Sequence, residues 1–493
     1  MSNAVPETER AWRVGTAPGI FPSIGHTIAL FRRPLDFLNS LPARGDLVEI
    51  RLGPLRAWMA CHPELTRQVL MDTRSFDKGG PLYNRLRPLM GNGLVTCPHD
   101  AYRRQRRLLQ PGFSPSRIAD HTELMGLEAE SVSREWRSGE QVDVSAAMLS
   151  LTTRVISQVL FSDSLDRAAA AEVHDCLASI VRGLFVRTAV PVDALFRVPT
   201  PANRRYRRAA ERVHAIVDAA VAERRRDPRD DREDLLGTLL AAARGDDGAA
   251  TVTDQEIHDQ LVTFLLTGAE STALCLVSAF DLLARHPEAE RRLHAEIDTV
   301  LAGRHTPSAD ELPHLAYTRS IVTETLRHRP PGWLFMRVTT KETVLAGHRL
   351  PRGATVLYSP YLLHHDPASF PDPHRFLPDR WLPGQTAAIP QGAMIPFAAG
   401  GRKCIGDRFA VAEATVTLAT IARRWRLHHL PGYVERLRPA ATLGPRSLVM
   451  TCETRSHGSA GSARHARSLA PRAMTAPRVQ DSRPAGDNGV YDA

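Results

Sequence analysis

The chain has 493 residues, 43% of them hydrophobic, with 63 Lys and Arg against 54 Asp and Glu for a formal charge of +9; this supports a well-filled core and excludes a low-complexity or disordered protein. The positive charge raises nucleic acid as a partner, but the arginines are spread along the chain without an aromatic-interleaved basic segment, so no nucleic-acid partner is expected. Six cysteines, at 61, 97, 176, 275, 404 and 452, form no C-x-x-C pair, which excludes a zinc site or disulfide framework and points to a reduced, cytoplasmic protein.

Residues 1–17 carry no periodicity and read as a flexible N-terminus. They contain neither a run of about 20 apolar residues for a transmembrane anchor nor a signal-peptide pattern. Pro18-Gly19-x-x-Pro22-x-x-Gly25 is a stiff turn, and a short helix is expected over 34–41. Segments 46–52 and 55–60 alternate apolar and polar residues around Gly53-Pro54, a hairpin signal, and Pro63 opens the next helix. Over 75–98, repeated Gly and Pro among Phe76, Leu82, Tyr83, Leu86, Leu89 and Met90 predict a long apolar loop. Residues 101–110 form a basic helix on which Tyr102 and Arg106 share a face, with Arg103, Arg104 and Arg107 on a solvated one. Helical patterns follow over 118–136, 145–161 and 168–186 and, past a break at 191–201, over 203–226. Asp230-Asp231-Arg232-Glu233-Asp234 matches the D-D-x-x-D pattern by which terpene cyclases bind magnesium and diphosphate. It lacks a companion motif, and acids just before a helix at 235–243 serve that helix's positive end.

Thr253-Asp254-Gln255-Glu256 is a capping box that opens a helix to about residue 285. That helix resembles a membrane span, but Glu270, Ser271, Thr272 and Asp281 inside it argue for a protein core. Gly268 omits a side chain where a ligand could approach, and Glu270 beside Ser271 and Thr272 places an acid next to alcohols, the arrangement that proton delivery requires. Glu324 and Arg327 can pair on one helical face. Strand patterns at 338–343 and 355–358 follow, and His364-His365 reads as a surface pair rather than a metal site. Cys404 sits in a bend between Gly400-Gly401 and Gly406, flanked by Arg402 and Lys403 and followed by an apolar helix over 407–424. Neighbouring cations and a helix N-terminus lower a thiol pKa, so Cys404 reads as an anionic sulfur ligand.

Phe397-x-x-Gly400-x-Arg402-x-Cys404-x-Gly406, preceded in order by Glu270-Ser271-Thr272, Glu324-x-x-Arg327 and Phe376-x-Pro378-x-Arg380-Trp381, resembles the cytochrome P450 superfamily. The resemblance covers residues 18–452 as a single haem-thiolate domain, leaving a disordered basic tail over 453–493. It implies a mainly α fold with a small β region, the triangular cytochrome P450 fold, with the haem between the long oxygen-activating helix and the cysteine-ligand helix. It implies heme b (iron-protoporphyrin IX) with Cys404 as the axial metal ligand, Phe397 beside it, and Tyr102, Arg106, Arg337 and Arg402 at the haem propionates. Glu270, Ser271 and Thr272 would be catalytic, with Ser271 replacing the family's usual threonine. Glu324, Arg327 and Arg380 would form a buried ion network, the 75–98 segment would cover the substrate, and Trp333, Leu334 and Phe335 would wall its pocket.

The implied activity is insertion of oxygen from O2 into a C–H bond of a small lipophilic substrate by a monomer. Electrons would come from NAD(P)H through a separate acidic ferredoxin and ferredoxin reductase. Pro201-Ala202-Asn203-Arg204-Arg205 and Tyr358-Ser359-Pro360-Tyr361 are similar to actinobacterial sesquiterpene oxidases of the pentalenene oxygenase and albaflavenone synthase type, in terpenoid and antibiotic biosynthesis. Fatty-acid, macrolide or steroid hydroxylation stays open, as does a haem-based gas sensor, which would need no acid–alcohol pair. Peroxide-driven fatty-acid hydroxylases replace that pair with Arg-Pro, which this chain does not carry.

Overall fold

The capping box at Thr253 forms as the sequence predicts: Glu256 N–H donates to Thr253 Oγ1 (3.2 Å) and Thr253 N–H to Glu256 Oε2 (3.1 Å). In the computed structural model, which describes residues 11–19, 25–189, 193–226, 232–244, 252–435, 437–445 and 447–455, it opens a helix over Asp254–Arg285. Its 32 residues span about 48 Å at the α-helical rise. The first half, Ile257 to Ala269, packs into an apolar core with the helices Arg167–Ala189 and Pro201–Arg226. The second half, Ala273 to Leu283, enters a second core with Ala316–His328 and Asp407–Arg424. This central helix and Val144–Phe161 are both long and apolar enough to cross a membrane, but most of each is buried within the fold. The described residues as far as Thr454 pack as one unit.

The β region is the smaller layer. Its main sheet runs, in spatial order, Val14–Thr16, Leu47–Leu52, Leu55–Ala60, Thr355–Tyr358, Phe335–Thr339 and Phe76–Asp77. The expected hairpin pairs Leu52 with Leu55 across Gly53, whose φ of +60° needs glycine. Phe335–Thr339 runs antiparallel to Thr355–Tyr358 and to Phe76–Asp77, so residues near 77, 337 and 358 adjoin although far apart in sequence. A further hairpin, Leu437–Pro439 with Leu443–Pro445, sits on the central helix; a Cβ on Gly444 would stand 2.6 Å from Leu274 Cδ2.

Several expectations need correction. The segment at 75–98 is not a loop throughout: Pro81–Met90 is a helix. Gly80, at φ +82°, turns the chain into it and Pro81 takes the first turn, where its missing N–H costs nothing. Arg104 is half-buried and pairs with Glu256 on the central helix, while Arg103 and Arg107 are exposed. His364 and His365 are buried rather than a surface pair. Asp234 is a buried partner of Arg224 that also accepts from Gly237 N–H (2.8 Å), so it is spent on an ion pair and a helix start rather than on a metal ion. Asp230 and Asp231, most of the turn at 18–25, residues 1–10 and the tail beyond residue 455 lie outside the described residues.

Candidate functional site

The site begins with how the cysteine bend is held. Cys404 N–H donates to Phe397 O (3.0 Å), and Gly400, at φ +68°, turns so close to the neighbouring helix that a Cβ would stand 2.2 Å from Leu70 O. His364 anchors the start of the bend: Ile395 N–H donates to its Nε2 (2.9 Å), and its Nδ1–H faces Arg327 O (3.2 Å). Burial pushes that imidazole down to about 3, so it stays neutral and keeps this donor–acceptor pattern. Arg327 and Glu324 form a two-point pair, both bonds 2.8 Å, with no exposed surface. Trp381 Nε1–H (2.8 Å) and Leu377 N–H (2.8 Å) also donate to Glu324, and Arg380 stands 3.6 Å from it. Arg327 further donates to the carbonyls of His364, Pro373 and Arg375.

Above this bend lies a cavity of about 910 Å³, with Cys404 and Phe397 in its wall. It runs from the cysteine past the central helix at Thr263 to Thr272 and past Leu82, Leu86, Ile180 and Leu184, to Phe31 and the Leu52–Leu55 turn. Trp333, Leu334 and Phe335 line it as expected. The Cys404 side chain is accessible because the cavity reaches it; on its other sides protein closes around it. Burial pushes its thiol up, the Gly406 N–H drawing it partway back. The flanking cations do not ionise it as expected, because Arg402 is spent on Asp77 (2.7 Å) and Lys403 on Asp407 (2.5 Å). A directly bound cation would draw this sulfur to the thiolate.

Cations gather at one side of the cavity. Arg402 lies 3.9 Å above the Tyr102 ring, and its Nε is buried with no hydrogen-bond partner. Arg337 is buried and reaches Tyr83 Oη (3.3 Å). Lys78, which the sequence reading missed, lines the cavity beside them with no carboxylate partner among the described residues. Burial, then Arg337 and Arg402, push its ammonium down to about 7. Arg106 does not line the cavity; its guanidinium donates to Tyr102 Oη (2.7 Å) and Lys403 O (2.5 Å), fixing the tyrosine that does. An orphaned guanidinium nitrogen, an unpaired lysine and a soft sulfur ligand fit a flat, metal-centred dianion, and so fit haem.

On the central helix, Gly268 lines the cavity, and its missing Cβ serves packing as well: a Cβ would stand 2.9 Å from Ile156 Cγ1. Ser271 Oγ donates back to Thr267 O (3.1 Å), and Thr267 Oγ1 to Thr263 O (2.7 Å). Glu270 lines the cavity; burial pushes its carboxyl up, partly offset by Thr442, whose hydroxyl donates to Oε1 (2.8 Å). Thr272 lies near a second acid that sequence reasoning missed, Glu413 on the ligand helix. Burial pushes Glu413 up to about 8, the Thr272 hydroxyl partly offsetting it, and Oε1 has no hydrogen-bond partner. An acid on an otherwise apolar stretch, Ala410-Val411-Ala412-Glu413-Ala414, was the available signal.

The comparisons with known proteins agree with this geometry. The family profile described as cytochrome P450 matches residues 17–450. The cyclooctat-9-en-7-ol 5-monooxygenase of Streptomyces melanosporofaciens is 48% identical, over 92% of this chain and 98% of its own length. The pentalenene oxygenase of Streptomyces avermitilis is 43% identical, over 92% of this chain and 100% of its own. The crystal structure of a cytochrome P450 haem domain superposes with a TM-score of 0.81 at 26% identity, over 91% of this chain and 99% of that one. With a cysteine bend pinned beneath a large cavity and a match along nearly its whole folded length, the chain belongs to the cytochrome P450 family and is a monooxygenase.

Proposed function

We propose that this monooxygenase hydroxylates a cyclic terpenoid in natural-product biosynthesis, with Cys404 as the haem ligand. The observation that carries the reading is a cavity of about 910 Å³, walled by Leu82, Leu86, Ile180, Leu184, Leu266 and Leu334, that ends at that sulfur. The names of the relatives cited above, and of cyclooctatin synthase, 46% identical, support a terpenoid over a fatty acid, macrolide or steroid. When bound, the haem supplies activation of O2.

The chain's own residues do the rest. Lys78, Arg337 and Arg402, with Tyr102 oriented by Arg106, would hold the two propionates. The apolar wall excludes water and orients the substrate by shape. Glu270 holds a proton on its carboxyl. Ser271 Oγ, which donates to Thr267 O, keeps lone pairs with which to accept a hydrogen bond in the cavity. Thr272 stands behind it, toward Glu413. Electrons come from an acidic ferredoxin docking on the face that carries Arg103, Arg107 and Arg408.

The test is spectral. The reduced carbon-monoxide complex should absorb at the long wavelength of thiolate ligation, and cyclic terpenoids should displace iron-bound water while fatty acids, macrolides and steroids do not. A globin-like carbon-monoxide spectrum in freshly folded protein, or oxidation that survives Cys404→Ser, would overturn the ligand assignment. A response to fatty acids alone would overturn the substrate.

A further inference from the structure

The cavity has two polar regions, and only one serves the haem. Lys78, Arg337, Arg402 and Tyr102 belong to the propionate side. Along the central helix the hydroxyls of Thr263, Thr267, Ser271 and Thr272 donate to backbone carbonyls of Met90, Thr263, Thr267 and Gly268, so their protons are committed. What remains is the Glu270–Thr442 pair, facing leucines and the Trp333–Phe335 wall.

Thr442 is held firmly. It sits at the tip of the hairpin Leu437–Pro439 and Leu443–Pro445, where its carbonyl accepts from Ala440 N–H (3.0 Å). Ala440 O accepts from Trp333 Nε1–H (3.0 Å), and Leu443 N–H donates to Pro331 O (2.9 Å). The close seat of Gly444 on Leu274 fixes the hairpin's height above the helix. Thr442 therefore meets one Glu270 oxygen from a rigid mount, and among the described residues no other polar group bonds that carboxyl. A carboxyl in so apolar a place favours its protonated form, and that proton, on the second oxygen, needs an acceptor.

We propose that the Glu270–Thr442 pair anchors an oxygen atom already present on the substrate, so that this enzyme takes an oxygenated terpenoid, an alcohol or ketone, rather than the parent hydrocarbon. The acid proton is donated to that oxygen, and Thr442 keeps the carboxyl aimed. A site built to hydrogen-bond a substrate oxygen discriminates strongly against the analogue that lacks it, because the buried donor is then left unpaired. In sequence of reactions, the enzyme follows a step that installs oxygen on the ring system, either a prior hydroxylation or a cyclisation quenched by water.

The inference rests on the terpenoid reading, and its test separates the two. Binding to the haem-loaded enzyme is measured by the spin-state shift for two matched pairs, cedrene with cedrol and sclarene with manool. In the wild type the better-fitting alcohol should bind at least about tenfold more tightly than its hydrocarbon. Thr442→Val should reduce that ratio to within about twofold, and Thr442→Ser should restore it. Binding of the alcohol should also shift the infrared stretch of a protonated carboxyl that is missing in Glu270→Gln. Equal binding of hydrocarbon and alcohol, or a ratio unchanged in Thr442→Val, overturns the inference and leaves the terpenoid reading standing. No spin shift with any of the four compounds overturns both. Should Thr442→Val fail to retain haem, the infrared measurement on the wild type decides: a shifted band supports the anchor, and an unmoved band overturns it.

Discussion

Lys78 is a cation that the protein alone does not want charged. Burial, then the neighbouring Arg337 and Arg402, bring it to about 7, and only carboxylates arriving in the cavity would restore its ordinary basicity. Above pH 7, binding haem should then draw in one proton at Lys78, which lowers affinity about tenfold per pH unit until the bound-state pKa is reached. Ionisation of Cys404 on ligation releases a proton and runs the other way, so the informative quantity is a difference between proteins. Lys78→Met should bind haem more weakly at pH 6, and its affinity should rise with pH relative to the wild type by close to one proton. Competition with apomyoglobin from pH 6 to 9 measures this; parallel pH curves would remove Lys78 from the propionate set. Glu413 makes the matching case for stability. Its folded pKa of about 8 lies above the ordinary carboxyl value, so the folded state holds a proton that the unfolded chain gives up. That contribution is complete below the unfolded pKa and disappears as pH rises through 8, with a slope of at most about 1.4 kcal/mol per pH unit. Glu413→Gln should flatten the decline, as read by urea unfolding of the holoenzyme at pH 5, 7 and 9.

Helix Ala316–His328 and the cysteine bend show why some of this machinery was legible and some was not. Glu324-x-x-Arg327, the Thr253 capping box and the bend around Cys404 each put their chemistry within a few residues, so spacing alone exposes them. Lys78 and Thr442 reach the cavity only because their strands, or strands beside them, cross chain segments distant in sequence, which no local pattern records. Pro81–Met90 was missed because Gly80 and Pro81, read as breakers, are here the turn and first residue of a helix, and Pro88 is tolerated inside it. The second role of Gly268, making room for Ile156, was not legible because that side chain lies on another helix. The ion pair has a testable strength. Arg327 is fully buried and satisfies Glu324 and three carbonyls at once, so Arg327→Met leaves a buried carboxylate with only the more distant Arg380 as counter-charge and should cost roughly 3–5 kcal/mol, with haem lost on purification. Arg327→Lys should not rescue it, because an ammonium cannot reproduce the two-point fork. A haem content equal to the wild type in either variant would show that the bend stands without the network.

At the scale of the molecule, the two cores meet along the central helix, and the cavity lies where they join, so substrate and electron donor must arrive from different directions. The hydrophobic cavity extends away from the sulfur as far as Phe31 and the Leu52–Leu55 turn. The sulfur side is basic: Arg106 ties the helix His99–Leu109 to the Lys403 carbonyl, which brings exposed Arg103 and Arg107 next to the cysteine bend, and exposed Arg408 begins the ligand helix. Lys403 contributes less, because Asp407 already neutralises it. Charges on such a surface steer an acidic partner over distances comparable with the Debye length, about 10 Å at 0.1 M salt, so they set the encounter rate and leave the chemistry alone. Reversing two of them, Arg103→Glu with Arg107→Glu, should slow reduction by an acidic ferredoxin at least about tenfold at low ionic strength, and the deficit should close toward 0.5 M salt, where screening removes the difference. The carbon-monoxide spectrum and the substrate-induced spin shift should not change, because neither arginine lines the cavity. Stopped-flow reduction across a salt series measures all of this, and a rate indifferent to both the reversal and the salt would move the donor to another face.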